Sequence, residues 1–334
     1  MSVKPPTYLI AEMACSHDSE PSYAKKIIDA AGKSGANAIQ FQIWLADDLM
    51  VPYHSQFDFH KNLELSRDEW KELANYVRSR FPSMEIIACV YEKNSVDFSE
   101  SISVDAYKIH SSDLSNEMLL KHVARKGKRI DLSVGASTIS EIEDALETIR
   151  KVSNVDVWIM YGIQNFPTPS DEIHLAYMMK LKKLFELPIG YQDHCDGDSE
   201  AGYWLPAAAI GMGVDIIEKH ITHDRSFKGV DYEAALDPDQ FKKFAEMVRE
   251  IDAARGISIP KPFTEAEQTY RRYAKKRLVA GKDIKAGEKI VEDDLLFMRA
   301  EELAMTPDQA NLLIGKKATK DIKKYELFKL DYIA

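Results

Sequence analysis

Residues 1–255 are expected to fold as an α/β protein, a (β/α)8 TIM barrel, and to be followed by a small, mainly β domain. Eight short β-rich runs recur along the chain, nearly all followed by an amphipathic helical stretch. Eight such units in about 250 residues is the count of that barrel. Most of the runs are apolar along their length rather than alternating, as strands buried on both faces must be. The third observation is a change after Arg255, where turns and short strands replace the strand–helix repeat.

In order, the strands are Tyr8–Ala11 (leading into Glu12), Ala38–Gln42, Glu85–Val90, Asp105–Ile109, Arg129–Ser133, Asp156–Met160, Pro188–Tyr191 and Asp215–Lys219. Helical stretches between and after them include Ser22–Ser34, Ser66–Arg80, Thr138–Lys151, Asp171–Phe185 and Asp237–Arg255. Ser66 with Glu69, and Thr138 with Glu141, have capping-box spacing. A dinucleotide-binding doubly wound sheet would open on a glycine-rich turn, and the first turn, Met13–Asp18, has no GxGxxG. Gly256–Thr264, with two prolines, opens a linker (residues 256–277) that contains the charged, helix-like Glu265–Lys276. Residues 278–334, punctuated by Gly281, Gly287 and Gly315, form the second domain, small enough to be marginal unless it docks on something.

The chain has 334 residues and 44 Lys+Arg against 54 Asp+Glu, a net charge of −10. That balance argues against nucleic acid or an anionic membrane as partner, and any anionic substrate must be held by local Lys or Arg. A content of 45% hydrophobic and 29% charged residues is that of a soluble globule, not a disordered chain, a collagen or a disulfide scaffold. No apolar run approaches the roughly 18 residues of a membrane span. Met1–Ala11 lacks the basic start and apolar stretch of a signal peptide. Cys15, Cys89 and Cys195 lie far apart without CxxC spacing, which points to a reduced, cytoplasmic protein, with Cys89 a small buried hydrophobe.

Active sites of such barrels sit at the C-terminal ends of the strands. Every predicted strand delivers polar groups to that rim: Glu12; Gln40 and Gln42; Tyr91; Lys108, His110, Ser111 and Asp113; Ser133; Gln164, with the ring of Phe166 two residues on; Gln192 and His194; Glu218 and His220. Any one could be a solvated loop residue, but eight converging sets point to a site. His194 and His220 end adjacent strands, and two neutral imidazoles with oxygen ligands suit a borderline divalent ion, Mn²⁺, Co²⁺, Fe²⁺ or Zn²⁺, with Mg²⁺ a further candidate. Asp231 is a candidate further carboxylate for that centre, or a loop cap. Lys108 would point into the barrel, where it needs an anionic mate: a substrate phosphate or carboxylate, or Glu12 or Asp113. Glu12, alone in an apolar run, is a candidate general base.

The segment LIAEMACSHDSEPSYAKKIIDAAGKSGANAIQFQ resembles the first segment of the sialic acid synthase family, and YKIHSSDLSN, LSVGAST, FPTP, GYQDH and IEKHIT follow in the family's order. LVAGKDIKAGEKIVEDDLLFMRA resembles the family's C-terminal SAF (antifreeze-like, β-clip-like) domain. The resemblance implies condensation of phosphoenolpyruvate with an N-acylated amino-sugar aldehyde, promoted by a divalent metal, usually Mn²⁺, with release of phosphate. By match, His194 and His220 would hold the metal, Glu12 would be the catalytic carboxylate, and Asp113 would stand near the metal-bound water. Lys108, Ser111 and Ser133 would hold phosphoenolpyruvate, and Asp231 the acceptor. Arg299 matches a tail arginine that reaches the partner subunit's site, which implies a domain-swapped homodimer.

The chain departs from the family pattern in four places. Gln40 stands for a lysine, Gln164 and Phe166 lie in an altered strand-6 motif, Gln192 stands for a serine, and Arg299-Ala300-Glu301 replaces an RPG-like turn. The metal pair is spared, while the expected donor and acceptor contacts change. Two rival readings follow: a metal-dependent sugar aldolase without phosphoenolpyruvate, and a non-catalytic sugar-binding homologue.

Overall fold

The computed structural model describes residues 5–257 and 259–332. Eight parallel strands close into a barrel: β1 Tyr8–Glu12, β2 Ala38–Ile43, β3 Glu85–Val90, β4 Ala106–Ile109, β5 Arg129–Ser133, β6 Val157–Tyr161, β7 Ile189–Asp193 and β8 Ile216–His220. Each pairs with its sequence neighbours, and β1 closes the ring against β8, Glu12 beside His220. The expected barrel is present. Several strands run one or two residues further than the apolar runs suggest, so Glu12, Asp193 and His220 are strand residues rather than loop residues.

The helices outside the strands are α1 Pro21–Lys33, α2 Arg67–Arg80, α3 Lys93–Ser101, α4 Glu117–Ala124, α5 Ile139–Arg150, α6 Leu175–Phe185, α7 Ala201–Met212 and α8 Pro238–Arg255. Both expected capping boxes form, at Ser66–Glu69 and Thr138–Glu141. Helix α6 starts at Leu175 rather than at Asp171, because Ser170–Glu172 is a separate 3-10 turn and His174 takes a left-handed φ of 52°. The β2 connection carries two short helices, Ala46–Leu49 and Phe57–Leu63.

Strand alternation sorts the core into two. Outward side chains such as Leu9, Ile39, Phe41, Ile86 and Leu132 pack under the helices in one continuous cluster. Inward, Ile10, Ala38, Ile87, Ala106, Met160 and Ile216 form an apolar plug. Beneath the plug, the Arg129 guanidinium lies 3.9 Å from the Trp158 ring centroid and 5.1 Å from that of Tyr8, and pairs with Asp131 and Glu85 at 2.9 Å each. The plug seals one end, so polar groups above it open only to the C-terminal mouth.

The chain divides into two compact units, residues 1–256 and 257–334. In the second, helix α9 Glu265–Ala274 opens with a Thr264–Glu267 capping box. Strands β9 Lys276–Ala280 and β10 Leu295–Arg299 pair antiparallel. Leu278, Ile284, Ile290, Leu313, Ile322 and Phe328 make a core of its own. Among the described residues no helix is long and apolar enough to cross a membrane.

Candidate active site

Above the apolar plug the inward positions turn polar: Glu12, Gln40, Lys108, Ser133, Gln192 and Glu218 are all buried. Burying so many polar groups inside a barrel is costly unless they pair, and most do. Lys108 Nζ donates to Glu218 Oε1 at 2.6 Å and lies 3.8 Å from Glu12. Gln192 Nε2 donates to the same Glu218 oxygen at 3.0 Å, and Gln192 Oε1 accepts from Ser133 Oγ at 2.9 Å. A chain of contacts therefore runs from β5 through β7 and β8 to β4 and β1. Gly162 makes room for it: a Cβ there would stand 2.7 Å from Gln192 Cβ and 2.8 Å from its carbonyl oxygen.

Glu12 is held by one oxygen. Oε1 accepts the Ala14 N–H at 2.6 Å and Gln42 Nε2 at 3.3 Å, while Oε2 has no hydrogen-bond partner among the described residues. Burial, followed by the neighbouring Glu218 charge, pushes the carboxyl up to about 8 against the pull of Lys108. Burial opposes the Lys108 ammonium, but Glu218 and Glu12 outweigh it and its pKa rises.

The imidazoles of His194 and His220 lie with centroids 5.2 Å apart, and Phe166 packs at 4.3 Å from the first and 5.7 Å from the second. His194 Nδ1 faces the Ile163 carbonyl at 2.7 Å, which assigns the proton to Nδ1 and leaves Nε2 a free donor atom. His220 Nδ1 is buried without a partner among the described residues. Burial lowers both pKa values, so both rings are neutral, as metal ligands must be. The pair offers two imidazole nitrogens and an orphaned ring atom, which fits a divalent ion of borderline softness. Among the described residues no group of three or more His, Cys, Asp or Glu is placed to hold a metal ion.

These groups open on a cavity of about 400 Å³ at the barrel mouth. Of the predicted site residues, Glu12, Gln42, Lys108, Gln164, Phe166, Gln192, His194, His220 and Asp231 line it. Asp231 sits in a left-handed conformation (φ 63°) and accepts the Cys15 N–H at 3.3 Å. Ser133 stands behind Gln192. Gln40 is beside Glu12 in register, fully buried, with neither amide atom partnered among the described residues. Ser111 and Asp113 belong to a 3-10 turn outside the lining; Asp113 accepts from Ser112 Oγ at 3.0 Å and Asn116 Nδ2 at 3.1 Å. Arg299 ends β10 of the second unit and is exposed. Glu218 and Tyr91, which the sequence offers only as strand-end polar groups, take definite places here: Glu218 anchors Lys108, and the Tyr91 hydroxyl donates to Gln42 Oε1 at 3.1 Å. Alternation was the available signal, since Glu218 is two residues before His220. Cys89 is buried, as expected.

The model of the NeuB family matches residues 27–259. N,N'-diacetyllegionaminic acid synthase of Campylobacter jejuni is 31% identical, over 97% of this chain and 99% of that protein. N-acetylneuraminate-9-phosphate synthase of Mus musculus is 27% identical, over 96% and 90%. Among solved structures, the N-acetylneuraminic acid synthetase of Leptospira borgpetersenii matches with a TM-score of 0.71 and 28% identity, over 80% of this chain and 92% of that one.

Proposed function

The chain belongs to the NeuB family, and we propose that it condenses phosphoenolpyruvate with an N-acylated amino-sugar aldehyde to give a nonulosonic acid and phosphate. The observation that carries this reading is the barrel mouth itself: a neutral imidazole pair, a half-free carboxyl and a buried ammonium facing one cavity. Lys108 is the cation available to the donor's anionic groups, with Gln192 and Ser133 supporting it. His194 and His220 would hold the divalent metal, which when bound supplies Lewis acidity toward the acceptor aldehyde.

The proton path follows from Glu12. Carbon 3 of the enol attacks the aldehyde carbon, and the Glu12 carboxyl gives its proton to the aldehyde oxygen, which becomes the product hydroxyl. Water adds to the cation at carbon 2 and returns a proton to Glu12. The resulting tetrahedral phosphate ester collapses to the ketone, breaking the carbon–oxygen bond and releasing phosphate. Oε2 is the atom free for both transfers, because Oε1 is occupied by two donors. Asp231 is the candidate partner for acceptor hydroxyl or amide groups. The tail is proposed to be an SAF-like domain that serves a second subunit through Arg299, and the protein to work in the cytoplasm.

The test is acceptor-dependent phosphate release with Mn²⁺, in wild type and in Glu12→Gln and His194→Ala. The synthase reading expects release in the wild type and its loss in both variants. An aldolase reading is favoured by Gln40, an amide where the resembling synthases carry a lysine. It expects Mn²⁺ binding and sugar cleavage with no use of phosphoenolpyruvate.

A further inference from the structure

The second unit holds a cleft of its own, of about 1440 Å³, lined by the end of α9, the start of β9 and the turn after β10. Five cations line it, Arg271, Arg272, Lys275, Lys276 and Arg277, against the carboxyl groups of Glu301, Glu302 and Asp308. Elsewhere in this unit cations find partners: Lys261 pairs with Glu267 at 2.8 Å, Lys285 with Asp321 at 2.8 Å and Lys320 with Glu326 at 3.0 Å. None of the five cleft cations is ion-paired among the described residues. Arg271 and Arg272 stand in the last turn of α9, where the helix dipole favours positive charge. That reason does not extend to Arg277, which lies on β9 and is 7% exposed. Its Nε is buried without a partner among the described residues, and Nη1 donates to the Lys276 carbonyl at 3.3 Å. A guanidinium taken out of water without a counter-charge is costly. The barrel unit pairs its buried lysines, Lys108 and Lys219, with carboxylates at 2.6 and 2.7 Å.

We infer that this cleft binds a polyphosphate, carried by a nucleoside di- or triphosphate or free as pyrophosphate. Charge, shape and lining agree. The five cations outnumber the three carboxyl groups, and guanidinium forks match phosphate oxygens in pairs. A lone orthophosphate would leave most of the space unfilled, since pockets for whole small ligands span about 300–1,000 Å³. Phe263 is 52% exposed, with the Arg271 guanidinium 4.4 Å from its ring centroid, and Leu303 is 87% exposed. They give the cleft apolar surface on which a base can stack. The net charge of −10 disfavours a long nucleic acid at the same groups. All the lining residues belong to the second unit, so the inference does not rest on the synthase reading.

The experiment titrates the full chain in a calorimeter with orthophosphate, pyrophosphate, ADP, ATP and CTP, in buffer with a metal chelator. Pyrophosphate or a nucleotide should bind at least ~10-fold tighter than orthophosphate, through several charge-assisted hydrogen bonds. A nucleotide that binds tighter than pyrophosphate identifies the nucleotide as ligand; equal affinity identifies the polyphosphate alone. Reversing two exposed cations, Arg271→Glu with Lys275→Glu, should weaken binding at least ~10-fold, while His194→Ala in the barrel should leave it unchanged. No binding, orthophosphate as tight as ATP, or binding lost in His194→Ala and kept in the double variant overturns the inference. Tighter binding of an oligouridylate of about 12 nucleotides than of any nucleotide overturns it in favour of nucleic acid. Arg277→Met keeps the apolar stem and removes the charge. It should weaken binding and leave the melting temperature of the ligand-free protein unchanged or higher. A lower melting temperature with unaltered affinity would show that the guanidinium serves the fold alone, and would overturn the inference.

Discussion

Lys219 and Asp193 form an ion pair with no exposure to solvent on either side chain, Nζ to Oδ2 at 2.7 Å, on the outer face of β7 and β8. Each immediately precedes one imidazole of the site, His220 or His194. Removing one partner of a buried pair costs about 3–5 kcal/mol, because the other charge is left without compensation. Lys219→Met leaves Asp193 with two donors, Tyr191 OH at 2.9 Å and the Cys195 N–H at 3.2 Å, which places it at the lower end, about 3 kcal/mol. Asp193→Asn keeps an acceptor for those donors but leaves the Lys219 ammonium only the Cys195 carbonyl at 3.3 Å, again about 3 kcal/mol. The double variant has no buried charge, so its loss should be about 3 kcal/mol rather than the sum of about 6, a coupling near 3 kcal/mol. Urea unfolding of the four proteins measures the cycle. Additive losses, or single variants less than about 1 kcal/mol below wild type, would refute the argument that a desolvated pair locks the ends of β7 and β8.

Three further outcomes are expected. His194→Ala and His220→Ala should each abolish Mn²⁺ binding in titration calorimetry and lower turnover by ~10³-fold or more, a scale typical of losing a principal electrostatic group. His17 is fully buried, and burial lowers its pKa from 6.5 to about 4. Only the unfolded chain takes up that proton between those values, so its contribution is present above pH 6.5 and is lost as the pH falls toward 4. The slope is at most about 1.4 kcal/mol per pH unit, so His17→Gln should reduce the stability difference between pH 7 and pH 5 by about 2 kcal/mol in urea melts. Gly162→Ala should cost about 1–3 kcal/mol by overpacking, and depress turnover as well, because the new Cβ meets the Gln192 backbone, which cannot swing away; an unaltered melting temperature would contradict that.

The barrel could be read in the sequence because its strands are short, apolar on both faces and separated by capped helices. Less legible was the depth of the site. A run such as Asp215–Lys219 is bounded by where hydrophobicity ends, but hydrogen bonding carries β8 on to His220, so the polar tip is part of the sheet. Glu218 is visible in the sequence as a strand-end polar group, but its pairing with Lys108, 2.6 Å away, appears only when the barrel closes. Helix α7 escaped the amphipathic pattern because its sequence, AGYWLPAAAIGM, is apolar nearly all round. Lys108 illustrates the opposite case, since strand alternation alone points it inward and its partners could be guessed as carboxylates, Glu12 among them. Gln40 departs from the family pattern in the sequence, yet only the fold shows an amide with both atoms buried and unpartnered among the described residues, beside Glu12.

The bridging oxygen of the donor reports which bond breaks. Phosphoenolpyruvate labelled with ¹⁸O at the enol oxygen is incubated with Mn²⁺, the protein and a neutral N-acyl amino-sugar acceptor, and the phosphate and sugar products are weighed by mass spectrometry. Condensation with carbon–oxygen cleavage predicts ¹⁸O in the released phosphate, only when acceptor is present, with one nonulosonic acid formed per phosphate. Label retained in pyruvate, or phosphate release that ignores the acceptor, would contradict the account.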